Sequence, residues 1–511
     1  MKYLLHFFAL LFSVSVFAQE NDDPVRIEIE SRAEVFEMVP CNERGVLVFY
    51  ESIKEIDEQT KAWVFIFYDN MLNPVWSKEL PVYRDFRYAG HYRDGEELYL
   101  SFHKTEKARR EEFNFQLMRI NLSDTKYKAH GLFVPDRATL VNFEINNGIL
   151  AAGFNFGKDE AVLIVRDLDS GEESVVQYTD DPTFFKDIRI DQKSGDIYAA
   201  ITLYSSRKES ALYLNSYTRQ ATLKNSIMIA TPRPTQKLMN AQLNFVPGNE
   251  IFVLGSFNNF NGSFSRSDET EAGEESEGFY IAKINAGSQE FIKFHKLLDF
   301  KNITEILNNE ELANVQNLIE KNKKGREQTL YYEFLIHDLK TQGDNFIMLA
   351  EAYYPEYHQV STMSYDFYGR PMPYYYTVFD GYRYFNAFAV SFDRDGNLNW
   401  SNGIKIWNML SKRLLKKVEC HVDNGEVVLF YNYDGKVISK VIDGYEQLGT
   451  IENTRLSTMH TNDVQIEADR GMISHWYKDY FLASGYQTLR NSTLGGGSKR
   501  RVFYINKLIF N

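Results

Sequence analysis

Eight times along the 511 residues the same local pattern returns. A moderately apolar stretch runs into a tight polar turn with glycine, and a strongly apolar stretch follows. The apolar stretches read VLVFY, ELYLSF, ILAAGF, DIYAAITL, EIFVLGSF, FIMLAEAYY, VVLFYNY and MISHWY. The turn glycines are Gly45, Gly95, Gly148, Gly195, Gly248, Gly343, Gly425 and Gly471. Most turns also carry Asn or Asp, such as Asp94 and Asn147, which tolerate the positive φ of a hairpin turn. A self-similar period near 50 residues with strand-forming composition points to a repeat architecture. Aromatic residues make up 15% of the chain, with 33 Tyr and 38 Phe, and such residues favour strands.

A third strand follows each pair, as in AWVFIFYD, AVLIVRDLD, FNAFAVSFD and VISKVID. Most end in Asp or Asn and lead through a short turn to a fourth strand. Asp69 stands seven residues before Trp76, and Asp393 seven before Trp400. The stretch SFDRDGNLNWS (Ser391 to Ser401) looks at first like a calcium loop, because Asp393, Asp395, Asn397 and Asn399 alternate. Its recurrence at Asp69 assigns it instead to turn chemistry, in which the carboxylate bonds the backbone two residues on. No metal or cofactor is expected.

Four antiparallel strands repeated in this way make a β-propeller blade. The expected fold is all-β: a single β-propeller of eight four-stranded blades. Seven is the alternative count, if one irregular repeat is an insertion. The last repeat stops after its third strand, Arg501 to Phe510, while VRIEIE (Val25 to Glu30) is an alternating strand without a partner in blade one. The N-terminal strand is therefore expected to complete blade eight and leave no open edge. Cys41 and Cys420 fall on the first strands of blades one and seven and are expected to be free, buried thiols.

FAVSFDRDGNLNWS resembles the blade repeats of many exported bacterial propeller proteins, whose third strand ends in Asp and whose fourth carries Trp. The whole chain is similar to exported bacterial proteins of this type. The resemblance implies the fold and export; it identifies no functional family and no catalytic residue.

Residues 1–18 read as a secretory signal peptide: Lys2, an apolar run from Leu4 to Phe17, then Val16-Phe17-Ala18 before Gln19. The apolar run is shorter than the ~20 residues that span a bilayer. No Cys lies near the cleavage point, so the expectation is a soluble periplasmic or extracellular protein and not a lipoprotein. The remaining domain is 19–511. A formal charge of −13 makes nucleic acid a poor partner.

Three excursions interrupt the blades, and long loops are where function concentrates. Residues 258–277 are acidic, with Asp268, Glu269, Glu271, Glu274, Glu275 and Glu277. Residues 301–329, between blades five and six, carry apolar positions at helical spacing (Ile303, Ile306, Leu307, Leu312, Val315, Leu318, Ile319), followed by Gly325. One amphipathic helix is expected there. Residues 353–384 contain ten tyrosines. Tyr354, Tyr357, Tyr365, Tyr374, Tyr375, Tyr376 and Tyr382 are the candidate binding residues, because tyrosine combines contact area with a polar tip. The competing reading of these rings is a local minicore. Tyr480 to Lys499, ending in LGGGSK, reads as a last loop.

No HExxH, GxSxG, phosphate-binding glycine loop or CxxC is present. His337 and His421 fall on inner strands. An enzyme on this frame, a polysaccharide lyase or glycosidase, would draw on Glu351, Glu356, Asp366 or Asp380 near the tyrosines. The function expected is a scaffold binding a protein or glycan at the cell envelope; the alternatives are that enzyme and a structural subunit of an envelope assembly.

Overall fold

A computed structural model describes the chain from Val25 to Phe510, apart from residues 32–33, 105–112, 158, 180, 206–208, 247–249, 260–274, 308, 327, 366–367, 424 and 494–498. Residues 1–18 and most of the acidic excursion lie outside the described residues. The chain divides into two compact units: Met1–Phe49 with Ile66–Ser77 and Lys417–Asn511, and Tyr50–Phe65 with Lys78–Lys416. Among the described residues there are eight antiparallel sheets, six of four strands and two of five; their strands follow chain order except in the eighth, which Arg26–Glu30 completes. The fold is an all-β propeller of eight blades. No helix among the described residues is long and apolar enough to cross a membrane.

The middle strands are buried because both of their faces are apolar. In blade three, Ile149–Phe156 and Glu160–Asp167 bury Leu150, Ala152, Phe154, Val162 and Ile164 in one cluster with Tyr99, Phe115 and Leu117 of blade two. At about 25 cal/mol per Å² of apolar surface removed from water, such clusters supply the main favourable term.

The turn between third and fourth strands repeats as the sequence suggests. Asp69 Oδ1 accepts the N–H groups of Met71 (2.8 Å) and Asn73 (2.8 Å), and Oδ2 accepts the Asn73 side chain (3.1 Å). Asp393 does the same toward Asp395 (2.9 Å), Asn397 (2.8 Å) and the Asn397 amide (2.8 Å). Asp167 and Asn121 make the same bond to the residue two on, and take their second from the residue three on. Both carboxylate oxygens of Asp393 are thus engaged in closing the turn.

The closing strand is also present. Arg26–Glu30 pairs antiparallel with the last strand, Arg26 opposite Asn506 and Glu30 opposite Val502. Arg26 is buried and donates to Gln487 Oε1 (2.7 Å), Asn506 Oδ1 (2.9 Å), the Ser457 carbonyl (2.8 Å) and Glu28 (2.9 Å). Its guanidinium lies over the Tyr504 ring, 4.7 Å from the centroid. Cys41 and Cys420 are buried thiols, and no disulfide joins them.

Blade eight corrects one assignment. MISHWY is the end of its first strand, Asp463–Tyr477, and the segment read as a last loop is its second strand, Tyr480–Asn491. The hairpin between them turns on Lys478, at φ 48°, without a glycine. Gly471 sits inside the first strand at a bulge, where a Cβ would lie 2.4 Å from the Asn432 carbonyl oxygen. That glycine serves a close approach of two backbones, not a turn.

Between blades five and six the helical excursion forms two pieces, Ile303–Ile306 and Asn309–Lys323, interrupted near Leu307, which is extended. Ile303, Ile306, Leu307 and Val315 join Phe334, Ala352 and Phe388 in the core of this region. Gly325, at φ 74°, ends the helix: its N–H reaches the Asn322 carbonyl (2.9 Å) and the Arg326 N–H reaches Lys321 (3.0 Å).

Two buried histidines of blade two make stability depend on pH. His103 and His130 are 3% and 7% exposed, and Nε2 of each is buried without a hydrogen-bond partner among the described residues. Burial holds both rings at about 4, with nearby Lys128 adding to the effect at His130. An unfolded histidine titrates near 6.5. Their contribution is fully present above that value and is lost as pH falls through the interval down to about 4. Each is expected to withdraw about 2 kcal/mol between pH 7 and pH 5. Denaturant midpoints at the two pH values check this. His103→Phe, placed among Phe115 and Phe154, should remove its share of the slope.

Candidate functional site

The tyrosine-rich excursion is not a loop. It is the continuation of the second and third strands of blade six, Asn345–Tyr365 and Pro371–Phe392, which reach 21 and 22 residues. Their pairing is unbroken in extent from Phe346–Phe392 to Tyr365–Pro371, with one residue's shift near Ala352 and another near Glu356. The fourth strand, Leu398–Ser411, accompanies the third only as far as Tyr382, and the first strand accompanies the second only as far as Tyr353. Beyond those rungs the two strands form a two-stranded ribbon.

Strand alternation decides where the candidate tyrosines go. Val360 pairs with Tyr376 and Thr362 with Tyr374, so Tyr374 and Tyr376 share one face, their rings stacked 6.2 Å apart. Ser361 pairs with Tyr375 and Tyr357 with Phe379 on the opposite face, where the Tyr357 and Phe379 rings are 5.4 Å apart. Tyr374 and Tyr375 are 61% and 63% exposed, and Tyr357, Tyr376, Met363 and Met372 are exposed as well. Tyr354 lies half-exposed at the root against Phe385. Tyr382 is buried, edge-on to Tyr353 and Phe379. Tyr365 ends the second strand opposite Pro371. The seven candidates therefore do not form one patch: Tyr382 supports the root, and the exposed ones divide between two faces. The minicore reading holds for Tyr353, Tyr382 and Tyr384, which are buried; the Tyr384 hydroxyl donates to the Leu415 carbonyl (2.7 Å).

The carboxylates singled out beside the tyrosines have basic neighbours. Glu351 is fully buried and pairs with His337 (2.7 Å). Asp380 pairs with His358 (2.7 Å), and Glu356 with Arg383. Asp366 lies outside the described residues. His421 stands 3.5 Å from Asp479, its ring edge-on to Phe481.

Two features escaped the sequence reading. Trp407, 66% exposed, and Leu410 lie on the overlong fourth strand beside the ribbon root, where Arg383 donates to Asn408. Their signal was IWNML running on past the strand that carries Trp400. The second feature is a charge cluster formed by the first strands of blades three and four with Asp338 of blade six and Lys416. Arg189 donates to Glu144 (3.3 Å), Asp187 (3.1 Å) and Asp338 (2.7 Å), and Lys416 reaches Asp338 (3.3 Å). A bulge presents Asp187, and a break between Ile336 and Lys340 presents Asp338. Asp187 also accepts the Leu243 N–H (2.9 Å), Glu144 the Ile190 N–H (2.7 Å), and Asn244 the Leu339 N–H (3.1 Å). From blade three to blade six, each blade is thus tied to the next by a side chain bonding its neighbour's backbone. Burial pushes the Asp187 and Glu144 carboxyls upward, with Arg189 opposing. This cluster holds blades together.

No family model matches the chain, and no curated protein matches it. Solved structures similar to it include the WD40 domain of SCAP from fission yeast, at 7% identity and TM-score 0.41, covering 95% of this chain and 97% of that one. A polysaccharide lyase, Uly1, matches at 8% identity and TM-score 0.38, covering 83% and 90%. A prolyl endopeptidase matches at 10% and 0.37, covering 83% of this chain and 50% of that one. None of these likenesses transfers an activity or a partner.

Proposed function

We propose that this chain is an exported propeller scaffold that binds a protein partner at the cell envelope through the tyrosine-bearing ribbon. The observation that carries the reading is the exposure of large apolar side chains on both faces of a two-stranded extension. A two-stranded ribbon is marginally stable in water by itself. Apolar side chains exposed together, rather than singly, mark interaction surfaces. Rigid blades position the ribbon root, and the tyrosines supply contact area with little entropy to lose.

The test is a pull-down from the native envelope, with the mature protein beside a variant carrying Ser at Tyr374, Tyr375 and Tyr376. The expected result is loss of the captured protein by more than tenfold with a melting temperature unchanged within about 2 °C, since exposed substitutions rarely exceed ~0.5 kcal/mol. Equal capture, or a lowered melting temperature, would return these residues to a structural role.

A further inference from the structure

Resting on that reading, we propose that the partner at the ribbon is a second copy of this chain, added through the edge of the strand Tyr357–Tyr365. The argument begins with the prolines. Proline has no N–H, so it keeps its place in a ladder where the missing donor would have pointed outward. Pro371 pairs with Tyr365 and Pro373 with Met363. Those rungs are therefore the ones whose backbone groups point away from the partner strand. By alternation the same holds for Ser361–Tyr375, Gln359–Thr377 and Tyr357–Phe379.

The two edges of the ribbon are consequently unlike. The edge of the third strand has lost two donors, at Pro371 and Pro373. The edge of the second strand presents outward N–H and C=O groups at Tyr357, Gln359, Ser361, Met363 and Tyr365. Its proline, Pro355, lies below this stretch.

Natural edge strands are blunted by lysine, inward charge or proline. YHQVSTMSY, residues 357–365, carries no Lys, Arg, Asp or Glu, and neither does PMPYYYTVF, residues 371–379. Charged residues number 127 in the 511, about one in four, so two uncharged runs facing each other form a local exception. The histidine within them, His358, is paired with Asp380.

An antiparallel edge is its own complement under a two-fold axis, as an isologous dimer requires. With the axis near Val360, Gln359 faces Ser361 of the copy and Tyr357 faces Met363; the new ladder runs from Tyr357 to Met363, Tyr365 falling opposite Pro355, and no like charges meet. Each copy is acidic as a whole. However, the ribbon runs about 10 residues, roughly 30 Å, past its last three-stranded rung. That is several times the ~8 Å Debye length at physiological ionic strength, so repulsion between the acidic blades is largely screened. The product is a four-stranded sheet with Tyr374 and Tyr376 on one face and Tyr375 and Tyr357 on the other.

Sedimentation of the mature chain from 1 to 100 µM tests this, with two proline variants. Ser361→Pro removes an outward donor from the open edge and leaves the ribbon's own ladder intact. Thr377→Pro does the same on the other edge. The expected result is a concentration-dependent dimer, weakened at least tenfold by Ser361→Pro and within twofold of wild type in Thr377→Pro. A dimer indifferent to Ser361→Pro, or equally weakened by both variants, would overturn the proposal. So would a monomer throughout the range. If that monomer still loses an envelope protein on Tyr374–Tyr376 substitution, the binding reading stands and only the second copy is wrong. If it loses nothing, both fall.

Discussion

Arg189→Met is expected to lower stability by about 3–5 kcal/mol, the cost of leaving buried charges without their partner. The guanidinium serves three carboxylates, and two of them, Asp187 and Glu144, have nearly buried side chains. Methionine replaces the stem of the arginine but none of its donors. The two carboxyls, already pushed upward by burial, would then take up protons. The deficit should accordingly shrink between pH 8 and pH 5, since a protonated carboxyl costs less to bury than a carboxylate. Urea unfolding of the two proteins at both pH values measures it. A deficit below 1 kcal/mol at pH 8, or one that grows on acidification, would show that the cluster is solvated enough to do without its cation. The double variant Arg189→Met, Asp187→Asn should recover part of the loss, because one buried charge is gone and the bulge keeps a side chain able to accept the Leu243 N–H.

Removal of residues 19–30 should do more. It exposes the third strand of blade eight along the five rungs from Val502 to Asn506, and an unpaired edge of that length invites aggregation. It also strips partners from buried polar groups. Gln487, Asn506 and the Ser457 carbonyl lose the Arg26 donors, and Arg500 loses Glu28 (3.0 Å), keeping Asp463 (2.8 Å). We expect loss of most soluble protein and of cooperative melting. A synthetic peptide of Val25–Ser31 added during refolding should restore the native melt. The same peptide with Arg26→Ala should restore little, because the guanidinium supplies the bonds that fix register. A truncated protein that melts like the intact one would show that the strand is dispensable.

Glycine in a polar stretch has two uses in these blades. In blades two, three and four Gly95, Gly148 and Gly195 adopt positive φ at the hairpin. Gly471 has another purpose, the approach of the Asn432 backbone, and the true turn runs through Lys478-Asp479. Local composition cannot separate these uses, because the reason for the second glycine lies 39 residues away in blade seven. The tyrosine run carries a related ambiguity. A loop and an overlong hairpin share the residues Tyr, Ser, Thr and Pro, and only the pairing of Tyr357–Tyr365 with Pro371–Phe379 tells them apart.

What the sequence determined by itself was the part that depends on short-range chemistry and period. Alternating and continuous apolar runs set the strands, Asp69 and Asp393 set the same turn twice, and a last repeat short of one strand left a place for Val25–Glu30. Those signals are local or additive, so they survive without a structure. What only the tertiary structure decided was every feature made by residues distant in the chain. Arg189 finds Asp338 across 149 positions. Alternation sends Tyr374 and Tyr375 to opposite faces once the ribbon's register is set. Tyr382 is buried because Tyr353 and Phe379 close over it, while Tyr374, Tyr375 and Tyr376, farther along the same strand, stand in water. Side-chain type announces what a residue could do; register and packing decide which face it does it on.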